Sequence, residues 1–496
     1  MSLINVSELT FAYEGSFDNI FENVSFQLDT DWKLGFTGRN GRGKTTFLKL
    51  LTGEYEYSGS ISASVGFEYF PYEVRDPGAD ALEAARSVCP DLELWRLKRE
   101  LGELCVDEGV LYRPFSTLSK GEQTKVLLAV MFLKDNRFLL IDEPTNHLEM
   151  RGREQVSRYL NSKKSFILVS HDRAFLDGCV DHVLSINRTG IEIQKGDFSS
   201  WYRNKELRDA FELDRNARLR KDIKRLEAAA RQSRQWADKV ESEKIGNIKD
   251  REKYNECGGR AYIGEQSRRM QQRRKNLERR QNRALDEKET LLKDVEVSDA
   301  LKIRQSEYRS RRLVTLDGVS VSYGGAPVCS DVSFVIEKGD RVALLGGNGS
   351  GKSSLIRLIV GQDIPHTGEV TVGGGLKISY VPQDASGLRG GLSDYAARCG
   401  IDESLFKAIL RKLDFGRVQF EKDMADFSAG QKKKALIARS LCENAHLHIW
   451  DEPLNYVDVI SRIQIEELLL KYAPTILFVE HDKAFCDRIA TKTVEL

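Results

Sequence analysis

Short runs of consecutive apolar residues recur along the chain, each ending where glycine-rich or polar sequence begins. Lys33-Leu34-Gly35-Phe36-Thr37, Phe138-Leu139-Leu140-Ile141 and Phe166-Ile167-Leu168-Val169 are three of them. Runs of this length without polar alternation predict strands buried on both faces, as in the parallel sheet of an α/β domain. Between Arg203 and Asp299 the texture changes: proline is absent, and Arg, Lys, Glu, Gln and Ala dominate. Leu219, Ile223, Leu226, Ala230, Ala237 and Val240 keep the three-or-four spacing of one helical stripe, and Met270, Leu277, Ala284 and Leu291 recur every seventh position. Gly246 and Cys257-Gly258-Gly259 interrupt the pattern. It therefore predicts two long antiparallel helices with a tip loop at about 242–262. A helix of ~40 residues would extend ~60 Å. The predicted organisation is a first α/β domain over 1–202, a helical linker over 203–300 and a second α/β domain over 301–496.

The two α/β segments carry the same motifs in the same order. The first contains GRNGRGKTT, with Gly38, Asn40, Gly41, Gly43, Lys44, Thr45 and Thr46. The second contains GGNGSGKSS, with Gly346, Asn348, Gly349, Gly351, Lys352, Ser353 and Ser354. Lys44 and Lys352 lie 308 positions apart, Glu143 and Glu452 309, and His171 and His481 310. Several motifs held in register over such a separation mark an internal duplication.

GxxxxGK[ST] is a phosphate-binding loop. Its glycines let main-chain N–H groups wrap the phosphates, Lys44 and Lys352 reach the β and γ phosphates, and Thr45 and Ser353 offer a hydroxyl to Mg²⁺. A single match arises by chance often; two, each between a strand pattern and an apolar helix pattern, do not. Apolar strands ending in Asp142-Glu143 and Asp451-Glu452 supply the other half of such a site. The aspartates are Mg²⁺ ligand candidates, and Glu143 and Glu452 are candidates to activate the attacking water. ATP and Mg²⁺ are the cofactors predicted.

Composition narrows the field. Net charge is +1 over 496 residues, with 41% hydrophobic and 30% charged residues, so the global balance implies no partner. The local balance does: residues 205–290 hold 25 Lys/Arg against 17 Asp/Glu, a net of +8. Arg268, Arg269, Arg273, Arg274, Lys275, Arg279 and Arg280 face one acid, Glu278. Positive charge concentrated in an arm is the footprint of phosphate-backbone binding, and these residues are RNA-contact candidates. Tyr254, Tyr262 and Trp236 could stack on unpaired bases. No apolar run approaches the roughly 18 residues of a membrane helix, and the first residues lack a signal-peptide pattern. Eight scattered cysteines without a CxxC pair fit reduced thiols of a cytoplasmic protein.

Leu118-Ser119-Lys120-Gly121-Glu122-Gln123 and Phe427-Ser428-Ala429-Gly430-Gln431 resemble the signature of the ABC ATPase superfamily, and the resemblance covers both halves. It implies that each signature, through Ser119 and Gly121 or Ser428, Gly430 and Gln431, closes over nucleotide held by the opposite domain. His171 and His481 match the switch histidine, Tyr13 and Tyr323 the adenine-stacking aromatic, and Gln383 the Q-loop glutamine, a further Mg²⁺ contact. Three positions depart from the family pattern, all in the first copy: Tyr72 at the Q-loop, Lys120 for the first signature glycine, and Glu149 where Asp458 supplies the usual carboxylate. The two sites are therefore expected to be unequal, with Glu149 reaching the Lys352 site from across the interface.

Two such domains joined by a long charged linker resemble the ABC-F ribosome-associated ATPases; Gly196-Asp197-Phe198-Ser199-Ser200-Trp201 is similar to a segment of that family. The interval from Tyr72 to Ser119 is 47 positions and that from Gln383 to Ser428 is 45, so the first domain carries no extra arm. A long linker without that arm, together with TDWKLGFTGRNGRGKTT, YRPFSTLSKGE, LVSHDRAF and IWDEPLNYVDV, is similar to the Lsa- and Vga-like antibiotic-resistance branch. The resemblance implies a cytoplasmic monomer whose two ATPase domains pair with each other. Its partner would be the bacterial 70S ribosome: rRNA near the exit site and peptidyl-transferase centre, and P-site tRNA. It would counter lincosamides, streptogramin A or pleuromutilins. A housekeeping translation factor, the ATPase of an exporter and a DNA-repair ATPase are the alternatives.

Overall fold

The computed structural model describes residues 2–14, 19–146, 148–187, 190–245, 308–323 and 326–496. The chain divides into two compact units: Met1–Trp201 together with Asp299–Leu496, and Tyr202–Ser298. The first unit holds both duplicated α/β domains.

In the first domain six strands form one sheet in the order Gly66–Phe70, Arg137–Asp142, Phe166–Val169, Lys33–Gly38, His182–Asn187, Gly190–Lys195. All neighbours are parallel except the last pair. The second domain repeats the order with five parallel strands: Ile378–Val381, Leu447–Asp451, Ile476–Val479, Arg341–Leu345, Lys492–Glu495. Helices cover these strands, which explains their unbroken apolar runs: every residue of Phe166–Val169, Leu447–Asp451 and Ile476–Val479 is buried. Beside each sheet lies a three-stranded antiparallel one, Phe21–Asp29, Leu3–Phe11, Ser58–Ser62 and its counterpart Ala326–Glu337, Arg312–Tyr323, His366–Val372.

The strand order positions the chemistry. In each sheet the strand leading to the histidine lies between the phosphate-loop strand and the acidic strand. Because the three are parallel, their carboxyl ends bring the loop, the acidic pair and the histidine to one edge, where open α/β sheets bind ligands. The signature helices start by local rules legible in the sequence. Ser119 caps Lys120–Met131 in a reciprocal box with Glu122, and Ser428 caps Ala429–Cys442 with Gln431.

Of the second unit, the described residues 202–245 lie in the helix Phe198–Ile245. Positions 242–245 of the expected tip loop are helical. The rest of that loop, the seven-residue stripe and the cationic candidates Arg268, Arg269, Arg273, Arg274, Lys275, Arg279 and Arg280 lie outside the described residues. No described helix is long and apolar enough to cross a membrane.

Candidate functional site: two paired phosphate-loop sites

Each phosphate loop turns into its helix, Lys44–Leu51 or Lys352–Val360, through a glycine in the left-handed region, Gly43 (φ 86°) and Gly351 (φ 90°). A Cβ on Gly43 would stand 2.4 Å from Ile20 Cγ2, so both conformation and space demand glycine there. Lys44 Nζ donates to the carbonyl of Gly38 at 2.7 Å, and Lys352 Nζ to those of Gly346 and Gly347 at 2.8 and 2.7 Å. Burial pushes both ammonium groups down, opposed by carboxylates: Asp458, Glu143 and Asp142 for Lys44, and Glu452, Asp451 and Glu149 for Lys352. A polyanion at the helix N-terminus would meet main-chain N–H groups and one of these lysines.

The hydroxyl–carboxylate pairs fit a hard divalent cation. Thr45 Oγ1 donates to Asp142 Oδ2 at 2.8 Å, with Tyr69 Oη on the same oxygen at 3.1 Å. Asp451 Oδ1 is buried without a hydrogen-bond partner among the described residues. Burial pushes its carboxyl up against a hydrogen bond from Ser353. An orphaned carboxylate oxygen beside a hydroxyl suits Mg²⁺ ligation. Beside each loop helix stands a half-exposed tyrosine. Tyr13 Oη lies 2.8 Å from Thr46 Oγ1, and Tyr323 Oη donates to Ser354 Oγ at 3.1 Å, so both rings present a face to solvent next to the loop.

The two glutamates differ sharply although their backbones match. Glu143 (φ 51°) and Glu452 (φ 47°) both hold the left-handed region, which is costly for a side chain of this type. The strain is fixed by main-chain bonds from Glu143 to Val169 and from Glu452 to Val479. Glu452 Oε2 accepts from Gln383 Nε2 at 2.8 Å and Asn455 Nδ2 at 2.7 Å, and His481 Nε2 is 3.6 Å from Oε1. Burial works to raise its carboxyl, but His481 and Gln383 overcome this and hold it at about 2. Glu143 has no counterpart of Gln383. His171 Nε2 approaches Oε1 to 3.2 Å, yet neither carboxylate oxygen has a well-formed hydrogen bond among the described residues. Burial and then Asp142 push this carboxyl up to about 8, against Lys44 and Arg462. Burial likewise holds the His171 imidazole neutral.

Each phosphate loop faces the other copy. Asn40 Nδ2 donates to the carbonyl of Tyr456 at 2.7 Å, and a Cβ on Gly430 would lie 2.9 Å from Asn40 Nδ2. Arg39 Nη1 pairs with Asp414 at 3.1 Å. The second loop, with Gln383, Glu452, Asn455 and His481, shares a cavity of about 430 Å³ with Lys120, Asn146, Leu148 and Arg153 of the first copy. Glu149 reaches this loop, its Oε2 3.3 Å from where a Gly347 Cβ would sit. Asp458 behaves differently: it caps the helix Val459–Tyr472 through Ser461 N and pairs with Lys434 at 2.7 Å. Between the sites, Arg173 holds Glu466 and Lys483 Nζ meets Glu154 at 3.1 Å across the interface.

Among the residues singled out by sequence, Gly121 and Ser119 stand at the helix start that borders the Lys352 cavity, and Ser428 and Gln431 form the box at the opposite signature. Tyr72 does not take the place of Gln383: its ring lies under Lys134 Nζ, 5.0 Å from the centroid. Sequence reading passed over Asn146 and Asn455, although they keep the 309-residue register, and the interface arginines Arg153 and Arg462. It also passed over a difference in the second copy, Glu480 where the first has Ser170.

A family model described as "ABC transporter" matches residues 21–146 and 329–455. The chain is 27% identical over 503 residues to "Ribosome protection protein VmlR" of Bacillus subtilis (strain 168), covering 98% of this chain and 85% of that protein. It is 26% identical over 538 residues to "Energy-dependent translational throttle protein EttA" of Escherichia coli (strain K12), covering 96% and 89%. Among solved structures it resembles an archaeal ribosome recycling factor, aABCE1, in complex with the ribosomal stalk protein aP1. The TM-score is 0.63 at 19% identity, over 98% of this chain and 87% of that one, a likeness of fold.

Proposed function

This chain belongs to the ABC transporter family and is an ATP-hydrolysing enzyme, and from that premise we propose that it is an ABC-F type, ribosome-binding ATPase that protects the peptidyl-transferase centre from antibiotics. The observation that carries the reading is the head-to-tail pairing of the two copies, Asn40 against Tyr456 and Lys120 beside the Lys352 loop. Nucleotide held there can govern how the copies close, and with them the linker that joins them. The domains are taken as 1–202, 203–300 and 301–496.

In this proposal Lys44 and Lys352 neutralise the β and γ phosphates, and Tyr13 and Tyr323 stack on adenine. Ser119 and Gly121, and Ser428, Gly430 and Gln431, complete the opposite site. Thr45 with Asp142, and Ser353 with Asp451 and Gln383, would hold Mg²⁺, whose charge stabilises the phosphate oxygens in the transition state. Glu452 orients the attacking water, its carboxylate kept ionised by His481 and Gln383, and His481 faces the γ phosphate. Glu143 and His171 take these places in the Lys44 site. Hydrolysis releases the protein from a bacterial 70S ribosome, where the basic linker reaches rRNA and P-site tRNA. The working form is a cytoplasmic monomer with intramolecular pairing.

Similarity over almost the whole chain to a protein named for ribosome protection supports this reading, as does the net +8 of residues 205–290. Nearly equal similarity to a translational throttle protein favours a second reading, a housekeeping translation factor. The matched intervals of 47 and 45 residues, which leave no room for an arm in the first domain, weigh toward protection. Drug susceptibility of an otherwise sensitive bacterium decides between them. Protection predicts a raised inhibitory concentration of lincosamide, streptogramin A or pleuromutilin that is lost on removal of 242–262. Unchanged susceptibility together with a growth or translation defect on deletion supports the housekeeping role. An exporter's ATPase would sediment with membranes instead of ribosomes.

A further inference from the structure

The run Lys432-Lys433-Lys434 sits on the signature helix of the second copy and looks like a solvated charged face. Lys433 is nevertheless 2% exposed. Its Nζ donates to the carbonyl of Pro382 at 3.0 Å and to that of Glu452 at 3.0 Å, with the carbonyl of Asp451 at 3.5 Å. Pro382 precedes Gln383, and Gln383 Nε2 donates to Glu452 Oε2 at 2.8 Å. One ammonium group thus grips the backbone at both ends of the bond that orients Glu452. The circuit runs from Lys433 through Pro382 and Gln383 to Glu452 and back.

The first copy is an internal control. In register, Pro71 stands for Pro382, Glu143 for Glu452 and Thr124 for Lys433. Thr124 is too short to reach either carbonyl, and its Oγ1 donates instead to Lys120 O in its own helix at 2.9 Å. Pro71, Tyr72, Thr124, Asp142 and Glu143 line a cavity of about 720 Å³ at the place the lysine bridges in the other copy. The charge environment changes along with the lysine. Burial pushes the Lys433 ammonium down, and buried Glu480, the first of the charges opposing that, stands where the first copy has Ser170. It accepts from Leu454 N at 2.7 Å and His481 N at 3.1 Å, so its own carboxylate is satisfied.

We propose that Lys433 is a positioning residue for ATP hydrolysis. It ties the Q-loop to the acidic strand so that Gln383 holds Glu452 on the attacking water, and its absence at Thr124 is a cause of the inequality of the two sites. Misplacing a catalytic group by an ångström costs on the order of 10²-fold in rate, so loss of the tether acts on turnover more than on nucleotide binding. The proposal rests on Glu452 acting in the Lys352 site. A Glu143→Gln, Glu452→Gln control that retains the turnover of Glu143→Gln would overturn that premise separately.

The test uses the full chain with Glu143→Gln, leaving the Lys352 site to turn over. Lys433→Met keeps the aliphatic stem and removes the ammonium; Lys433→Arg keeps a cation. Steady-state ATP hydrolysis should show kcat for Lys433→Met reduced roughly 10- to 100-fold with KM within about twofold, and Lys433→Arg recovering part of the loss. Wild-type kcat in Lys433→Met, or a rise in KM that accounts for the whole change, overturns the proposal. Should Lys433→Met fail to fold, Tyr72→Gln with Thr124→Lys in the Glu452→Gln chain, compared with Tyr72→Gln alone, decides: a higher kcat at the Lys44 site with the lysine supports the tether, and an unchanged or lower one contradicts it.

Discussion

Asn40 Nδ2 donates to the main-chain oxygen of Tyr456 at 2.7 Å, joining the first phosphate loop to a loop 416 positions further along the chain. Gly430 packs at the same place: a Cβ there would lie 2.3 Å from the Tyr456 carbonyl. The Lys44 site is therefore assembled by both copies, and its geometry depends on their closure.

Asn40→Ala should weaken that closure. A single hydrogen bond of this kind contributes about 0.5–1.5 kcal/mol net, so apparent ATP affinity at the Lys44 site should fall by roughly 2- to 10-fold. Nucleotide titration in the Glu143→Gln, Glu452→Gln chain measures it without turnover. A stronger effect is expected from Gly430→Ala, because the added methyl must displace backbone. Unaltered affinity in both would remove the Asn40–Tyr456 contact from the site.

Glu143→Gln and Glu452→Gln should not be equivalent. Glu452 is ionised and held by two amide donors, whereas Glu143 lacks such donors and burial favours its protonated form. Glu452→Gln should thus remove the larger share of ATP turnover, and Gln383→Ala should lower turnover in the same direction by less. Equal residual rates in the two single variants would contradict the inequality.

Much of this was legible in the chain. Consecutive apolar residues gave the central strands because both faces of each sheet are covered; the spacing from Ser119 to Glu122 and Ser428 to Gln431 reads only as the signature, although it also encodes the capping boxes. Tyr72 standing in the place of Gln383 announced unequal sites, and the structure shows one form this takes: Glu143 lacks the amide donor that Gln383 gives Glu452. What was not legible depends on burial that periodicity does not report. Lys433 and Lys434 lie in a run of three lysines, which reads as a solvated face until the helix is seen to press both against carbonyls and Asp458. Arg153 pairs with Asp172 of its own copy and also donates to the His481 carbonyl 328 positions away, a contact no local pattern reports, whereas the approach of Glu149 to the Lys352 loop was expected from its place opposite Asp458.

Asp458 offers a test of stability against pH. Burial works to raise its carboxyl, but the Lys434 charge and hydrogen bond, with Ser461 N, hold it well below the usual carboxylate range. A depressed carboxyl contributes stability that is present above its unfolded value of about 3.9 and lost as pH falls toward the folded one. Asp458→Asn should cost about 3–5 kcal/mol at pH 7, since it leaves the buried Lys434 without its counter-charge. The gap between wild type and variant should stay constant from pH 7 to about 5 and narrow below about 4. Denaturant unfolding at several pH values checks both; a gap independent of pH down to 3 would contradict the assignment.

The most direct test of the central claim, that two composite ATP sites control residence on the ribosome, is co-sedimentation of the Glu143→Gln, Glu452→Gln chain with bacterial 70S ribosomes in ATP and Mg²⁺. The account predicts that this variant stays in the ribosomal pellet while wild type is released. Release of the double variant to the same extent as wild type would contradict it.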